Sequence, residues 1–250
     1  MKYLLVLLLL SISYACNDDE VRLQEDVLAD YIALNDALEL TDLIACAGGR
    51  EEGLFNDATI PTSIFYYPIE GATDFRYYEA ESIADSVNFN KYKRKELPDE
   101  PIFNGYLRKF TRTPFKGERM GIVTYKTEGK LHVCNPIRLK INPKPTEVNA
   151  DLVNIQENQV NPVFTWEDGR IKENVIYFQI ISDTEGNLIS GTYTIEKNFT
   201  FYNLDNVVLN ITNKRTMPVL QPDTEYVFTM MAVSEDNWVN LLVEKKFRTK

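Results

Sequence analysis

The sequence predicts an all-β protein of two tandem sandwiches, placed behind an export leader and a short helical or flexible tether. Three observations carry this. After residue 41, short apolar runs recur between clusters of Gly, Pro, Asn and Asp, as strands recur between turns. A proline-bearing break, "NPKPTEVNAD" at 142–151, divides those runs into two stretches of similar length. With 250 residues, 44% apolar and 12% aromatic, the chain is too apolar for disorder. It is long enough for two cores of about 100 residues each.

Residues 1–15 read as a signal peptide: one cation at Lys2, an apolar core over 3–10, then the small residues Ser11, Ser13 and Ala15. That core is too short to span a bilayer, which takes about 20 apolar residues. The leader ends in "SYAC", which resembles the lipobox of bacterial lipoproteins. The "NDDE" that follows resembles the surface-export signal of Bacteroidetes-type lipoproteins. The resemblance implies diacylation of Cys16, a membrane partner through this N-terminal lipid anchor, and a surface-exposed address at the outer membrane. Ser13 and Tyr14 stand where the box usually has an aliphatic and a small residue, so ordinary cleavage after Ala15 is the alternative.

Residues 16–41 form an acidic tether, partly helical, in which Val27, Leu28, Tyr31, Ile32 and Leu38 fall at helical spacing. Residues 42–143 hold the first sandwich, with strand-like runs such as "TSIFYY", "DFRYYEA", "MGIVTYKT" and "LHVCNPIRLKI". "KTEGKL" predicts a tight hairpin. Phe65, Tyr67, Phe75 and Tyr77 are its expected core. Residues 144–150 are the linker, and 151–250 the second sandwich, with Phe164, Trp166, Phe178, Ile180 and Tyr226 expected to be buried together. There "DTEGN", at 183–187, alternates oxygen side chains as calcium loops do but lacks the closing Glu, and reads as a hairpin turn.

In the second stretch, Trp166 in "NPVFTWED" and the run "LQPDTEYVFTMMAVSEDN" resemble the fibronectin type III family, a sandwich of Ig-like architecture. The resemblance implies a strand-B tryptophan at 166. It also implies a tyrosine corner at Tyr226, ring buried and hydroxyl tied to nearby backbone. "SIFYYPIEGATDFRYYEAES" is similar to the family's strand B, turn and strand C, with Tyr66 or Tyr67 replacing the tryptophan. No Leu-x-Pro-x-Thr-x-Tyr run precedes "MGIVTYKT", so the first stretch is the more loosely Ig-like of the two.

Chemistry is sparse in this sequence. The one histidine, His132, lies in a strand opposite the faces of Leu131 and Val133, away from any nucleophile and orienting acid. One His and scattered Cys give no metal-ligand spacing, and no Gly-rich phosphate loop occurs, so no catalytic residue, metal or cofactor is expected. A net charge of −10 argues against a nucleic-acid partner. Cys46 and Cys134 are a disulfide closing a long loop, or two buried thiols.

Two features invite binding. One is the basic set at 91–95 with Arg108, Lys109, Arg112, Lys116 and Arg119, suited to an acidic ligand or to guarding an edge strand. The other is "SEDNWVN" at 234–240, which the resemblance places in the loop between strands F and G. The loop at 167–174 should lie beside it, gathering Trp238, Asp236, Arg170 and Lys172 at one tip suited to a glycan or protein partner. Trp238 folding back onto its own domain or the interdomain joint is the competing reading. The sequence therefore points to a lipid-anchored, non-catalytic envelope module for adhesion, glycan capture or complex assembly. Its rivals are an accessory glycoside hydrolase using paired carboxylates and a plain spacer.

Overall fold

The computed structural model describes residues 23–35, 37–50, 54–55, 62–140, 144–156, 160–212 and 218–250. The leader, Cys16 and part of the 142–151 break lie outside these residues. One helix, α1 (Leu28–Ala33), precedes the strands. Ten strands make the first half: β1 (Leu38–Leu43), β2 (Ala45–Gly48), β3 (Thr62–Tyr66), β4 (Thr73–Ala80), β5 (Lys93–Lys95), β6 (Asp99–Ile102), β7 (Leu107–Arg112), β8 (Arg119–Thr127), β9 (Lys130–Cys134) and β10 (Ile137–Leu139). Nine make the second: β11 (Glu147–Val148), β12 (Val153–Gln156), β13 (Val163–Trp166), β14 (Asn174–Ser182), β15 (Leu188–Thr194), β16 (Asn198–Thr200), β17 (Val207–Asn210), β18 (Glu225–Ser234) and β19 (Val239–Arg248).

These strands form four sheets, two to a sandwich. The first sheet runs β1-β9-β8-β4-β5, with β10 continuing along β8 beyond Asn135-Pro136, and the second runs β2-β3-β7-β6. The third runs β11-β19-β18-β14-β15-β17 and the fourth β12-β13-β16. Local chemistry sets the turns. Glu128 and Gly129 both take positive φ (51° and 79°) in the two-residue connection from β8 to β9, the pairing that a type I′ hairpin requires. The turn at 183–187 is closed by Asp183, whose carboxylate accepts from the backbone of Glu185 and Asn187.

Each sandwich has its core, and a third apolar layer lies between them. In β14, Tyr177 and Ile181 face the fourth sheet, packing with Phe164, Trp166, Phe228 and Tyr226. Phe178 and Ile180 point the other way, into a cluster with Phe65 of β3, Leu107 of β7 and Met231 and Val233 of β18. The two sandwiches thus stack face to face, second sheet on third, and the inner sheets are covered on both sides. This corrects the expected grouping of Phe178 and Ile180 with Trp166, because strand alternation sends neighbours to opposite faces and here both faces are apolar. Phe65 likewise leaves the core shared by Phe75 and Tyr77. Tyr66 fills that core, stacked on Phe110 at 5.2 Å.

The expected tether is partly helical, as α1 shows, but from Glu25 onward it is bonded to the first sheet instead of hanging free. Leu28 and Tyr31, one helical turn apart, are buried on the first sheet, with Tyr31 stacked on Tyr78 at 5.9 Å. Tyr78 donates to the Glu25 carbonyl, Leu28 N–H to Tyr92, and Arg94 N–H to Asp26. Arg76 pairs with Glu25 at 2.9 Å and lies over the Tyr31 ring. The cause is legible in β8, where Ile122 and Val123 are both buried. Adjacent strand residues point to opposite faces, so this sheet needs cover on both.

Candidate functional site

The turn from β18 to β19 is where the sequence places its most conspicuous binding feature. Asn237 takes a positive φ of 60°, and Ser234 Oγ donates to Asp236 Oδ1, closing the turn tightly. Its outer edge is bonded to the first half: Ala47 N–H donates to Asn237 O at 3.0 Å, Arg138 N–H to Asp236 O at 2.9 Å, and Asn237 Nδ2 to Pro136 O at 3.1 Å. Trp238 is fully buried in the first sandwich's core, and its Nε1 donates to Lys144 O at 2.8 Å. Thr146 completes the joint, its hydroxyl donating to Val239 O and accepting from Gly49 N. A Cβ at Gly48 would come within 2.9 Å of that hydroxyl, so the close approach depends on glycine there.

The four residues expected at one exposed tip are therefore not gathered there. Asp236 is held by Lys140 Nζ at 2.6 Å, and although burial opposes it, the bonds from Lys140 and Ser234 keep its carboxyl below the usual range. Arg170 is 75% exposed and leans on Glu147 of β11, while Lys172 donates to the Asp168 carbonyl of its own loop. The 167–173 loop does approach the turn, but through Glu173, which pairs with Lys144 at 2.6 Å and lines a recess of about 410 Å³ with Lys140 and Asp236. The end of the second sandwich that carries this turn is a joint, because Trp238 finds an apolar site and a carbonyl acceptor in the other half.

Of the two readings of Cys46 and Cys134, the structure has the free thiols and not the disulfide. Cys134 lies in the first sandwich's core, where its sulfur accepts from Val123 N at 3.1 Å, whereas Cys46 packs against the layer between the sandwiches. Burial pushes both thiols up to about 12.

The arginines and Lys109 of the basic set are paired with acids. Arg108 pairs with Asp99 at 2.7 Å, Lys109 with Glu100 at 2.9 Å, and Arg112 and Arg119 with Glu79 at 3.1 and 3.4 Å. Glu79 escaped the sequence reading, although an acid inside the apolar run "YYEA" was the available signal. Its side chain is wholly buried, so its two arginines offset the desolvation of its charge.

One cleft was not foreseeable. About 700 Å³ opens at the seam, where Phe55, Ile102, Phe103 and Asn104 of the first half face the 183–187 turn and Glu244 of the second. Asn104 accepts from Leu188 N–H at 3.0 Å across that seam. Among the described residues, no group of three or more His, Cys, Asp or Glu could hold a metal ion. No described helix is long and apolar enough to cross a membrane.

No family model matches the chain, and no curated protein matches it. Among solved structures, the FN1–FN3 domains of chicken CNTN1 are similar at 13% identity and a TM-score of 0.30, over 86% of this chain and 69% of that one. A likeness of that score adds nothing to the strand order above, which is that of an all-β sandwich protein.

Proposed function

We propose that the protein is a non-catalytic binding or assembly module of the cell envelope, lipid-anchored through Cys16 and exposed at the outer membrane. The anchor and address rest on the lipobox-like "SYAC" and the "NDDE" after it, and the observation that carries the binding part of this reading is the shared apolar layer between the sandwiches. It makes both halves one rigid body that presents a fixed surface, with an aromatic- and amide-lined cleft at the seam. Clefts of this size and mixed lining suit small ligands and glycan units. A hydrolase using paired carboxylates needs one acid held protonated by a raised pKa. Asp183, which lines the cleft, instead sits below the usual carboxylate range: burial would raise it, and bonds from Asn187 and from the Glu185 and Gly186 amides outweigh it. The test is a glycan array on the mature chain, beside Phe103→Ala. Binding lost in that variant at an unchanged melting temperature supports the cleft. Turnover of a bound glycan would replace the proposal with the enzyme.

A further inference from the structure

The N-terminal segment fixes more than stability. From Glu25 onward the chain is bonded to the first sheet, through Glu25 to Arg76 and Tyr78, Asp26 to Arg94, and the buried Leu28 and Tyr31. Eight residues, 17–24, lie between that point and Cys16. The nine steps from Cys16 to Glu25 reach about 30–32 Å at full extension. The four sheets stack at about 10 Å spacing, which puts the fourth some 30 Å from the first. An anchor on that lead holds the fourth sheet at the bilayer, with the first turned away, only at about full extension, whereas the first sheet is within its reach without it.

The same side of the molecule carries an uncommon surface. The 81–92 connection from β4 to β5 packs against α1 and exposes Val87 (82%) and Ile83 (41%); Leu34, just past the end of α1, is exposed as well (48%). Lys91 and Lys93 are exposed beside them, balanced by Glu81 and Asp85 of the same connection. Apolar side chains beside lysines that can reach phosphate suit an interfacial position, where rings and aliphatics enter the headgroup layer and amines stay wet.

We infer that the side of the first sheet covered by α1, with the 81–92 connection beside it, is the side turned to the lipid headgroups, leaving the seam cleft and the fourth sheet away from the bilayer. This rests on the anchor at Cys16. The lipidated protein is reconstituted in vesicles of phosphatidylethanolamine and phosphatidylglycerol, with a polarity-sensitive probe at Val87→Cys or at Asn154→Cys on the exposed side of β12. The parent protein, labelled in parallel at pH 7, measures any background from Cys46 and Cys134. Quenching by bromolipids at position 87 with none at 154 is the expected result. Equal quenching at both positions, or stronger quenching at 154, overturns the inference. The mass of the N-terminal peptide reads the anchor separately. An unacylated Cys16 removes the anchor and this orientation with it, whereas an acylated Cys16 with equal quenching overturns the orientation alone.

Discussion

Removing the Trp238 indole would empty a fully buried site and strand the Lys144 carbonyl that it satisfies. Trp238→Ala should therefore lower stability by roughly 3–5 kcal/mol in urea titration, the range for large aromatic truncations in cores. A loss below about 1 kcal/mol would show that the ring is not packed at the joint. The thiols give a second prediction at this scale. Cys134 ionises near 9 when exposed and near 12 when folded, because burial penalises the thiolate. The unfolded chain then releases a proton that the native chain keeps, so stability is intact below about pH 9 and falls as pH rises toward 12. Chemical denaturation from pH 8 to 11 should show that decline, lessened in Cys134→Ala relative to its own neutral-pH stability. Disulfide reagents at pH 7 should label Cys134 only after unfolding.

Among the elements, α1 and β14 do work that their own sequences only half announce. Leu28 and Tyr31 are spaced to form one apolar stripe, and what the stripe covers is set by β8, whose two faces are both apolar. Leu28→Ala should cost roughly 2–5 kcal/mol, as buried leucine truncations do. A neutral result in thermal melts would return the segment to the status of a free tether. Strand β14 reads as a continuous apolar run, which fits a strand buried on both faces, but a run cannot say what lies on each side. Phe178→Asp would place a charge between the sandwiches without touching the Trp166 core. It should part the two halves while each keeps its strands, measurable as a larger radius in small-angle scattering with an unchanged far-ultraviolet spectrum.

For the whole molecule, the shared layer predicts cooperativity. Two sandwiches joined end to end by a free linker would melt as separate units, whereas halves that share Phe65, Phe178, Ile180, Met231 and Leu242 should unfold in one transition. Calorimetry of the full chain should show a single peak, and two resolved peaks would contradict the stacking. Residues 144–250 expressed alone would expose that apolar face and should self-associate in sedimentation. The Cys16→Ser variant belongs to this scale as well. It should move the protein from the detergent phase to the aqueous phase, since two acyl chains suffice for stable attachment. Equal partitioning of variant and parent would sink the anchor.

What the sequence determined by itself was whatever depends on neighbours along the chain. Alternating apolar runs dictated strands, Glu128-Gly129 a two-residue hairpin, and Asp183 with Asn187 a turn. The run through Tyr226 dictated a corner in which the hydroxyl accepts from Gln221 N at 2.8 Å. Only the tertiary structure decided which of two apolar faces each strand gives to its own core and which to the other sandwich, because alternation distinguishes sides and not their occupants. It also decided the fate of Trp238. A polar flank such as "SEDN" marks a turn wherever that turn lies, and the acceptor and the cavity that bury this indole come from residues more than ninety positions away. The cleft at the seam is likewise a property of two surfaces meeting, so no single stretch of chain encodes it.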